Sequence, residues 1–336
     1  MGLRMAAVGQ LVVSLDFELF WGVRDKRTLA DYRENLLGVR QAVPALLRLF
    51  EKFSIHATWA TVGLLFCEGR EDALRSSPVR KPHYAEPRYS PYQDPESWGN
   101  DEREDPFRFA PSLIDSIAQS PNQEIATHTF SHYYCLEAGQ GPEMFEADLA
   151  AAVAVAARRS ITLRSIVFPR NQVNLDYLPI CARAGLRSYR GTPRRGLYAP
   201  RNEDAQSPFI RGQRLVDTYL PLTGDRSIGM GELGRAAPYN IAASSFLRPH
   251  AKRLAILEGR RLRRIAAELT HAAASGRVYH LWWHPHNFGR NLEENLRFLT
   301  ELFTHFAELR ARYGMQSSTM DELAESCERG VREAAA

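Results

Sequence analysis

The stretch QLVVSLDFEL, residues 10–19, decides the fold class predicted for this chain. Its run of large and β-branched apolar residues is typical of a strand that is buried on both faces, as in a parallel sheet covered by helices. Two acids, Asp16 and Glu18, stand at its carboxyl end. Residues two apart on a strand point to the same side, so both carboxylates are expected to face one site. The alternative is a pair of acids on a solvated strand end.

Short apolar runs alternate with longer amphipathic segments along the rest of the chain. Strands are predicted at 55–63, 123–128, 165–169, 186–191, 214–222 and 277–285, and helices at about 36–50, 142–160, 175–185, 250–276 and 292–313. This alternation predicts one α/β domain, residues 1–336, built on a parallel sheet that is either open or closed as a barrel. Polar residues at successive strand ends favour the barrel, because barrel active sites lie at that rim.

One long segment, residues 67–111, departs from the alternation. It is dense in proline, tyrosine and charge and shows no periodicity, so it predicts a long polar insertion loop. Loops of this length in a compact domain are usually functional or disordered. A lid over a site and a solvated excursion are both compatible with the sequence.

The overall composition excludes several classes of protein. The 336 residues are 44% hydrophobic and 24% charged, and the net charge of +4 argues against a dedicated nucleic-acid binder. Four dispersed cysteines indicate a reducing compartment rather than a disulfide framework. The start of the chain does not resemble a signal peptide, and the longest apolar run, 149–157, is too short to span a bilayer. A cytoplasmic protein without transmembrane segments is expected, and its oligomeric state is not predicted.

A pair of histidines lies in HTFSH, residues 128–132. Histidines four apart share one face of a helical turn, so His128 and His132 could direct their ring nitrogens at one ion. A carboxylate from the first strand would complete a His₂–carboxylate set, which serves catalytic zinc and iron and leaves a position for water. The alternative is that one histidine only satisfies a hydrogen bond in the core.

A third cluster, FPRNQ at residues 168–172, follows another predicted strand. Arg170 could pair with Asp16 and hold it ionised and oriented. Asn171 and Gln172 offer neutral donors and acceptors suited to sugar hydroxyl groups. The alternative for Arg170 is a surface ion pair of little energetic value.

A fourth cluster, HLWWHPHN at residues 280–287, ends the last predicted strand. His280, Trp282 and His284 alternate onto one face, and His286 follows a proline. His284 could protonate a leaving amine, and Trp282 offers a flat apolar face to a sugar ring. For His280 and Trp283 we predict packing roles.

The segment GRRLRR, residues 259–264, makes the predicted helix 250–276 strongly basic. A solvated helix face is the ordinary explanation of such a run. Binding of a diphosphate-linked substrate or of an anionic membrane surface is the alternative.

These four clusters, in this order, resemble the motifs of the polysaccharide deacetylase family, the NodB-homology group of carbohydrate esterases. The resemblance implies a distorted (β/α)₇-type barrel. It implies that Glu18, His128 and His132 bind one divalent metal, with zinc the first choice and iron, cobalt or nickel the alternatives. The resemblance also implies that Asp16 is the catalytic base. It agrees with the roles considered above, in which Arg170 orients Asp16 and His284 protonates the leaving nitrogen.

The resemblance also has departures. The first motif has the form D-x-E rather than two adjacent acids, and FPRNQ differs from the usual order of the third motif. The family's motif of an aspartate with a nearby tryptophan has no clear counterpart, since Asp217 matches it poorly.

The implied activity is hydrolysis of an N-acetyl or N-formyl group on an amino sugar or sugar conjugate. Asn171, Gln172, Trp282 and His286 are then expected to bind the substrate. The combination of FPRNQ with HPHN resembles a cytoplasmic branch associated with lipopolysaccharide O-antigen and other surface polysaccharides. The alternatives are a non-catalytic sugar-binding partner of the same fold and a hydrolase of a non-sugar amide.

Overall fold

The structure, a computed structural model, describes residues 8–193, 196–202, 205, 207–220 and 223–335. Its strands are β1 (Gln10–Phe17), β2 (Ala57–Thr61), β3 (Gln123–Thr127), β4 (Ser165–Ile166), β5 (Ser188–Tyr189), β6 (Ile228–Gly229), β7 (Tyr239–Asn240), β8 (Ser245–Phe246), β9 (Arg277–Trp283) and β10 (Gln316–Ser318). Its α-helices are α1 (Leu29–Phe53), α2 (Arg70–Ser76), α3 (Pro111–Gln119), α4 (Pro142–Ala157), α5 (Leu178–Arg183), α6 (Pro208–Tyr219), α7 (Glu258–Ser275), α8 (Pro285–Phe288), α9 (Leu292–Tyr313) and α10 (Met320–Ala335).

The strands form one sheet in the order β6–β9–β1–β2–β3–β4–β5–β7, with β10 beside β1 and β8 beside β9. The ladders are parallel apart from β6 with β9. The segment from β7 to β8 joins the two sides: Ile241 N donates to Tyr189 O at 2.9 Å, and Leu247 N donates to Trp282 O at 2.8 Å. These bonds connect the β5 side with β9, and the predicted distorted α/β barrel is confirmed.

The first helix shows how the sequence covers this barrel. The residues that recur at helical spacing, Leu36, Val39, Val43, Leu46 and Phe50, are all buried, as their periodicity predicts. The capping box of Thr28 and Asp31 fixes the start of α1, and the helix continues through its internal proline.

One predicted strand is wrong. Residues 214–219 of the expected strand 214–222 belong to α6, and residues 221–222 lie outside the described part of the chain. The Ser207 side chain accepts from Ile210 N at 3.3 Å, which caps a helix that has proline in its first turn. Leu215 and Val216 are exposed on this helix, so the apolar run that suggests a buried strand lies on an outer face.

The insertion segment 67–111 includes α2 and is attached to the barrel. His83 N donates to Gly139 O, and Ala85 N donates to Ala138 O, each at 2.9 Å. Tyr84 and Trp98 are buried. The segment is therefore fixed by backbone bonds and aromatic packing at these points, which a freely solvated excursion would lack.

Among the described helices, none has both the length and the apolar character that a membrane span requires.

Candidate metal centre

The site lies at the carboxyl ends of the central strands. Asp16 is the penultimate residue of β1, and Glu18 follows that strand. β1 lies between β9 and β2, and β3 follows β2. Because parallel strands end at the same edge, His128 after β3 and His284 after β9 reach the two acids although they are distant in the chain.

Three side chains converge as the sequence predicts. Glu18 Oε2 lies 3.2 Å from His128 Nε2 and 3.0 Å from His132 Nε2. The three ligand atoms lie within 4.8 Å of one another, and all three residues are buried. Zinc bonds of about 2.0–2.2 Å to such ligands would place neighbouring donor atoms roughly 3.3 Å apart in a tetrahedron.

The two histidines do not share a helical turn, which corrects the local geometry expected from their spacing. Residues 128–132 form a loop in which Thr129 and His132 have positive φ, 63° and 57°. Left-handed backbone is uncommon for residues with a side chain and is found at sites where the surroundings impose it. The turn, rather than an i,i+4 helical face, directs both rings at Glu18.

Asp148, on α4, holds this loop in place. Its buried carboxylate accepts from Phe130 N at 2.7 Å and from the Ser131 hydroxyl. Burial raises the pKa of Asp148 to about 6, and these hydrogen bonds oppose the rise. The sequence shows no signal for this support, since Asp148 stands in the middle of a helix.

The donor atoms fit a divalent cation. The Val167 carbonyl can only accept, so its 2.8 Å bond to His128 Nδ1 places the hydrogen of the neutral ring there and leaves a lone pair on Nε2. That lone pair and the Glu18 carboxylate oxygen point at the same place. His132 Nδ1 is buried with no hydrogen-bond partner among the described residues. A cation held by Glu18 Oε2 and by the Nε2 atoms of His128 and His132 would account for this convergence, with Val167 as the outer support of one ligand.

The protonation states also suit metal binding. Burial lowers the pKa of His132 to about 4, although the neighbouring Glu18 opposes this. Burial alone would raise the pKa of Glu18, but His284 and His132 hold it well below its ordinary value. At neutral pH, His132 is therefore neutral and Glu18 ionised, the forms that metals bind.

Gly22 leaves room for the Glu18 carboxylate. A Cβ added at Gly22 would lie 1.9 Å from Glu18 Cδ and 2.0 Å from its Oε1. We therefore expect Gly22→Ala to displace the carboxylate and to weaken zinc binding by about 10–100-fold, measured by competition with a chelator. Gly259→Ala is the matched control, because a Cβ at Gly259 meets nothing within 4 Å. Equal affinity in the two variants would show that Glu18 is not a ligand.

Asp16 is held by Arg190, not by Arg170 as the sequence predicts. Arg190 Nη1 donates to Asp16 Oδ1 at 2.6 Å, and its Nη2 donates to Oδ2 at 2.7 Å. Both residues are buried. Burial acts to raise the pKa of Asp16, but Arg190 and the nearby His128 hold it below its ordinary value.

Arg170 turns away because Arg170 and Asn171 have positive φ, 55° and 53°. Its guanidinium pairs with the buried Asp25 and lies 4.5 Å from the centre of the Tyr134 ring. Arg170 therefore contacts the loop beside His132 instead of the catalytic acid. A surface ion pair, the other expectation, is also wrong.

The two polar residues after Arg170 have different surroundings. Asn171 Oδ1 accepts from Arg190 Nη2 at 3.0 Å and lines a cavity beside the site. Gln172 is buried; it accepts from Leu136 N and donates to Glu137. The predicted substrate contact of Gln172 is therefore wrong, because its amide is bonded to the Leu136 backbone and to the Glu137 carboxylate.

His284 lies opposite the metal ligands. Its Nε2 is 3.5 Å from Glu18 Oε1 and 3.8 Å from Asp16 Oδ2. Asn287 Nδ2 donates to His284 Nδ1 at 3.3 Å, while the Tyr32 hydroxyl donates to Asn287 Oδ1 at 3.0 Å. These contacts orient the ring so that Nε2 faces the two acids.

The remaining predicted residues surround His284. Trp282 lines the cavity, and its ring centre lies 5.6 Å from that of His284. His286 is buried, with Nε2 4.0 Å from Glu18 Oε1, so its ring packs against a proposed metal ligand. The pKa of His286 is lowered to about 3, mainly by burial and to a smaller extent by the neighbouring His284. Trp283 is fully buried, in agreement with its predicted packing role.

His280 is a structural residue, also as predicted. Its Nδ1 donates to Ile241 O at 2.9 Å and its Nε2 accepts from the Ser14 hydroxyl at 2.8 Å. Burial, followed by Arg190, lowers its pKa to about 3.

This burial makes stability depend on pH. Unfolded histidine takes up a proton below about pH 6.5, whereas native His280 remains neutral to a much lower pH. The unfolded state then binds more protons, so stability falls with pH from about 6.5 towards 3 at about 1.4 kcal/mol per unit. We expect His280→Asn to remove this contribution to the pH dependence of stability. The measurement is the free energy of unfolding of chelator-treated protein as a function of pH. An unchanged slope would contradict the assignment.

Besides Asp148, the sequence predictions missed three residues of the site: Arg190, Asn287 and Gly22. Arg190 follows the short strand β5, so the strand-end rule applied to the predicted strand 186–191 would have found it. Asn287 lies within the HPHN cluster itself. Gly22 carries no sequence signal for its role.

The sequence matches no known protein-family profile and no curated protein. Solved structures are similar in fold. A candidate polysaccharide deacetylase from Mycobacterium smegmatis superposes with a TM-score of 0.60 at 15% identity, over 98% of this chain and 93% of its own. A similarly described protein from Pseudomonas aeruginosa PAO1 gives 0.53 at 10% identity, over 96% and 92%. Puue allantoinase gives 0.52 at 10% identity, over 96% and 91%.

Proposed function

We propose that this chain is a metal-dependent hydrolase that removes an acetyl or formyl group from the nitrogen of an amino sugar. The observation that carries the proposal is the convergence of Glu18, His128 and His132 beside a separately held acid, Asp16, and an imidazole, His284. A binding protein has no need for this combination of metal ligands and proton-transfer groups.

Glu18, His128 and His132 would hold the cation, and we propose zinc, with iron, cobalt or nickel as alternatives. When bound, a divalent cation supplies Lewis acidity that activates water and stabilises negative charge on the amide oxygen. Asp16, ionised because Arg190 faces it, takes the proton from the attacking water. His284, in its imidazolium form, donates the proton on Nε2 to the departing nitrogen and is left as the neutral imidazole, which can then take up the proton held by Asp16. The C–N bond breaks, leaving a free amine and acetate or formate.

The sugar is proposed from the surface beside His284. Trp282 presents an aromatic ring at the cavity wall, and Arg190 lies 4.1 Å from that ring on its inner side. A fixed flat ring is a common partner for the apolar face of a sugar. Hydrolysis of a non-sugar amide is the second candidate, favoured by the similar fold of Puue allantoinase. Amine release from N-acyl sugars compared with ureide hydrolysis separates the two.

The biological setting is also a proposal. The motif variant FPRNQ with HPHN supports a cytoplasmic role in making lipopolysaccharide O-antigen or another surface polysaccharide. A second possibility is a non-catalytic sugar-binding partner, which stoichiometric metal together with turnover would exclude.

Asp16→Asn tests the division of roles between the acids. The variant keeps the shape of the side chain but cannot accept the water's proton, so we expect turnover to fall by about 10²–10⁴-fold while metal content is unchanged. Amine release and metal analysis of the same preparation give the two readings. Loss of the metal instead would mean that Asp16 is a ligand and that the roles of Asp16 and Glu18 are exchanged.

A further inference from the structure

A cavity of about 540 Å³ opens beside the metal centre. Seven arginines line it, including Arg211 and Arg214 from α6, Arg248, and Arg261 from α7, and no aspartate or glutamate is among the described residues of its wall. Surfaces of mixed charge are the rule for proteins of small net charge. Three of these arginines have carboxylate partners outside the wall: Arg170, Arg226 and Arg261. The wall itself presents only cationic side chains, a composition that suits a ligand with negative charge.

The cavity borders the proposed catalytic groups. Trp282 and Asn171 belong to its wall, and both contact Arg190, the partner of Asp16. The ring of Trp282 also lies next to that of His284. A molecule in the cavity is thus separated from the proposed catalytic residues by no more than one side chain.

Arg248 shows that the cationic wall is not fully neutralised. This half-buried side chain donates to the Thr218 hydroxyl at 3.0 Å and lies near the Phe246 ring, and it forms no ion pair with any described residue. Burial lowers its pKa. The pKa of Arg214 is lowered by burial and then by neighbouring arginines, Arg201 foremost. Cations held this close raise the local positive potential, which an anion would relieve.

The basic segment 259–264 contributes in part. Arg261 reaches the cavity wall and is buried, with Glu258 as its ion partner. Arg264 is also buried, between Asp217 and Glu268. The expectation of a solvated basic face is therefore wrong for these two arginines, while Arg263 is exposed.

We propose, building on the proposed function, that this cavity binds a phosphate or diphosphate group carried by the sugar, and so selects an activated sugar as substrate. Guanidinium groups match phosphate oxygens in pairs, and a wall of arginines has no comparable partner on a neutral sugar polymer. Both a nucleotide-linked sugar and a lipid-linked sugar carry this group. The reaction that supplies the substrate is then the transfer of a nucleotidyl group to a sugar phosphate, or of a sugar phosphate to a lipid phosphate.

Binding can be tested apart from catalysis. Isothermal titration calorimetry measures the binding of inorganic pyrophosphate to metal-free His132→Ala protein. Because this protein holds no metal, binding of pyrophosphate to the cation is excluded. We expect this protein to bind pyrophosphate, and Arg248→Gln or Arg214→Gln in the same background to weaken the binding about tenfold or more each. Arg263→Gln is the matched control, since this exposed arginine lies on α7 away from the cavity wall. Circular dichroism checks that each variant is folded, and Arg248→Lys is used if Arg248→Gln is not.

Two results would overturn the proposal. One is pyrophosphate affinity that is unchanged in both cavity variants, and the other is affinity that disappears with His132 alone, which would place the anion on the metal. If arginine-dependent binding is found but no N-acyl sugar releases an amine, the cavity assignment stands and the proposed hydrolysis fails.

The source of the phosphate is resolved with active protein. Amine release is compared for N-acetylglucosamine, its 1-phosphate, its uridine diphosphate conjugate, and a polyprenyl diphosphate conjugate in phosphatidylcholine vesicles. We expect kcat/KM to rise at least about tenfold when a phosphate or diphosphate is present, and Arg248→Gln to remove that gain while sparing the neutral sugar. Preference for the uridine or the polyprenyl conjugate identifies the carrier. Equal rates on all four substrates would contradict the proposal.

Discussion

His132→Ala is expected to abolish both metal binding and amine release. The variant removes one of three ligand atoms and leaves Glu18 and His128 with an incomplete set. Lewis-acid stabilisation contributes several kcal/mol to the barrier, so we expect turnover to fall by at least about a thousandfold. Metal analysis should show the loss directly, and the rise in melting temperature on adding zinc should disappear, because binding to the native state alone produces that rise.

His271→Ala is the matched control for this variant. His271 is half-exposed on α7 and its nearest carboxylate partner is Asp225, which belongs to neither the metal centre nor the catalytic groups. It should keep metal and activity. A His132→Ala protein that retains stoichiometric metal and the wild-type rate would rule out the ligand set.

Arg190→Met is expected to shift the acidic limb of the pH–rate profile. Arg190 opposes the effect of burial on Asp16, so its removal should raise the pKa of Asp16. Asp16 must be ionised to accept a proton, and the acidic limb of kcat/KM therefore moves to higher pH. Removing one partner of a buried pair should also cost about 3–5 kcal/mol in the free energy of unfolding.

Arg170→Met separates this effect from a general loss of stability. Arg170 is also largely buried and paired, but with Asp25, so the variant should lose stability without moving the acidic limb. Arg190→Lys keeps the charge but loses the paired hydrogen bonds to the Asp16 carboxylate. It should therefore give an intermediate shift of the acidic limb. If Arg170→Met moves the acidic limb and Arg190→Met does not, Arg170 orients Asp16 as the sequence predicts. The pairing of Arg190 with Asp16 would then have no role in catalysis.

The difference between these two arginines shows what sequence can predict here. Glu18, His128 and His132 could be brought together because each follows a strand, and strand ends meet at one rim. Arg170 also follows a strand, but two left-handed residues redirect its side chain, and backbone conformation of that kind has no signature in FPRNQ. Arg190 follows β5, which lies inside the predicted strand 186–191, so the same strand-end rule places it at this rim.

Other differences between the sequence predictions and the structure have a similar origin. The run at 214–222 looks like a buried strand because apolar residues are read as core, yet Leu215 and Val216 are exposed. The arginine cavity was not foreseen, because its wall combines α6, α7 and the segment around Arg248. Only the tertiary arrangement brings those cations together.

The position of β1 in the sheet has a consequence for biosynthesis. β1 leaves the ribosome well before β9 and β10, yet Leu11 pairs with Tyr279 on β9 and with Ser317 on β10. Until those late residues emerge, one edge of an apolar strand has no neighbour and is open to mispairing with other chains. Folding that must wait for such remote contacts is slow, so refolding yield should fall as protein concentration rises, and a chaperone that shields nascent strands should restore it.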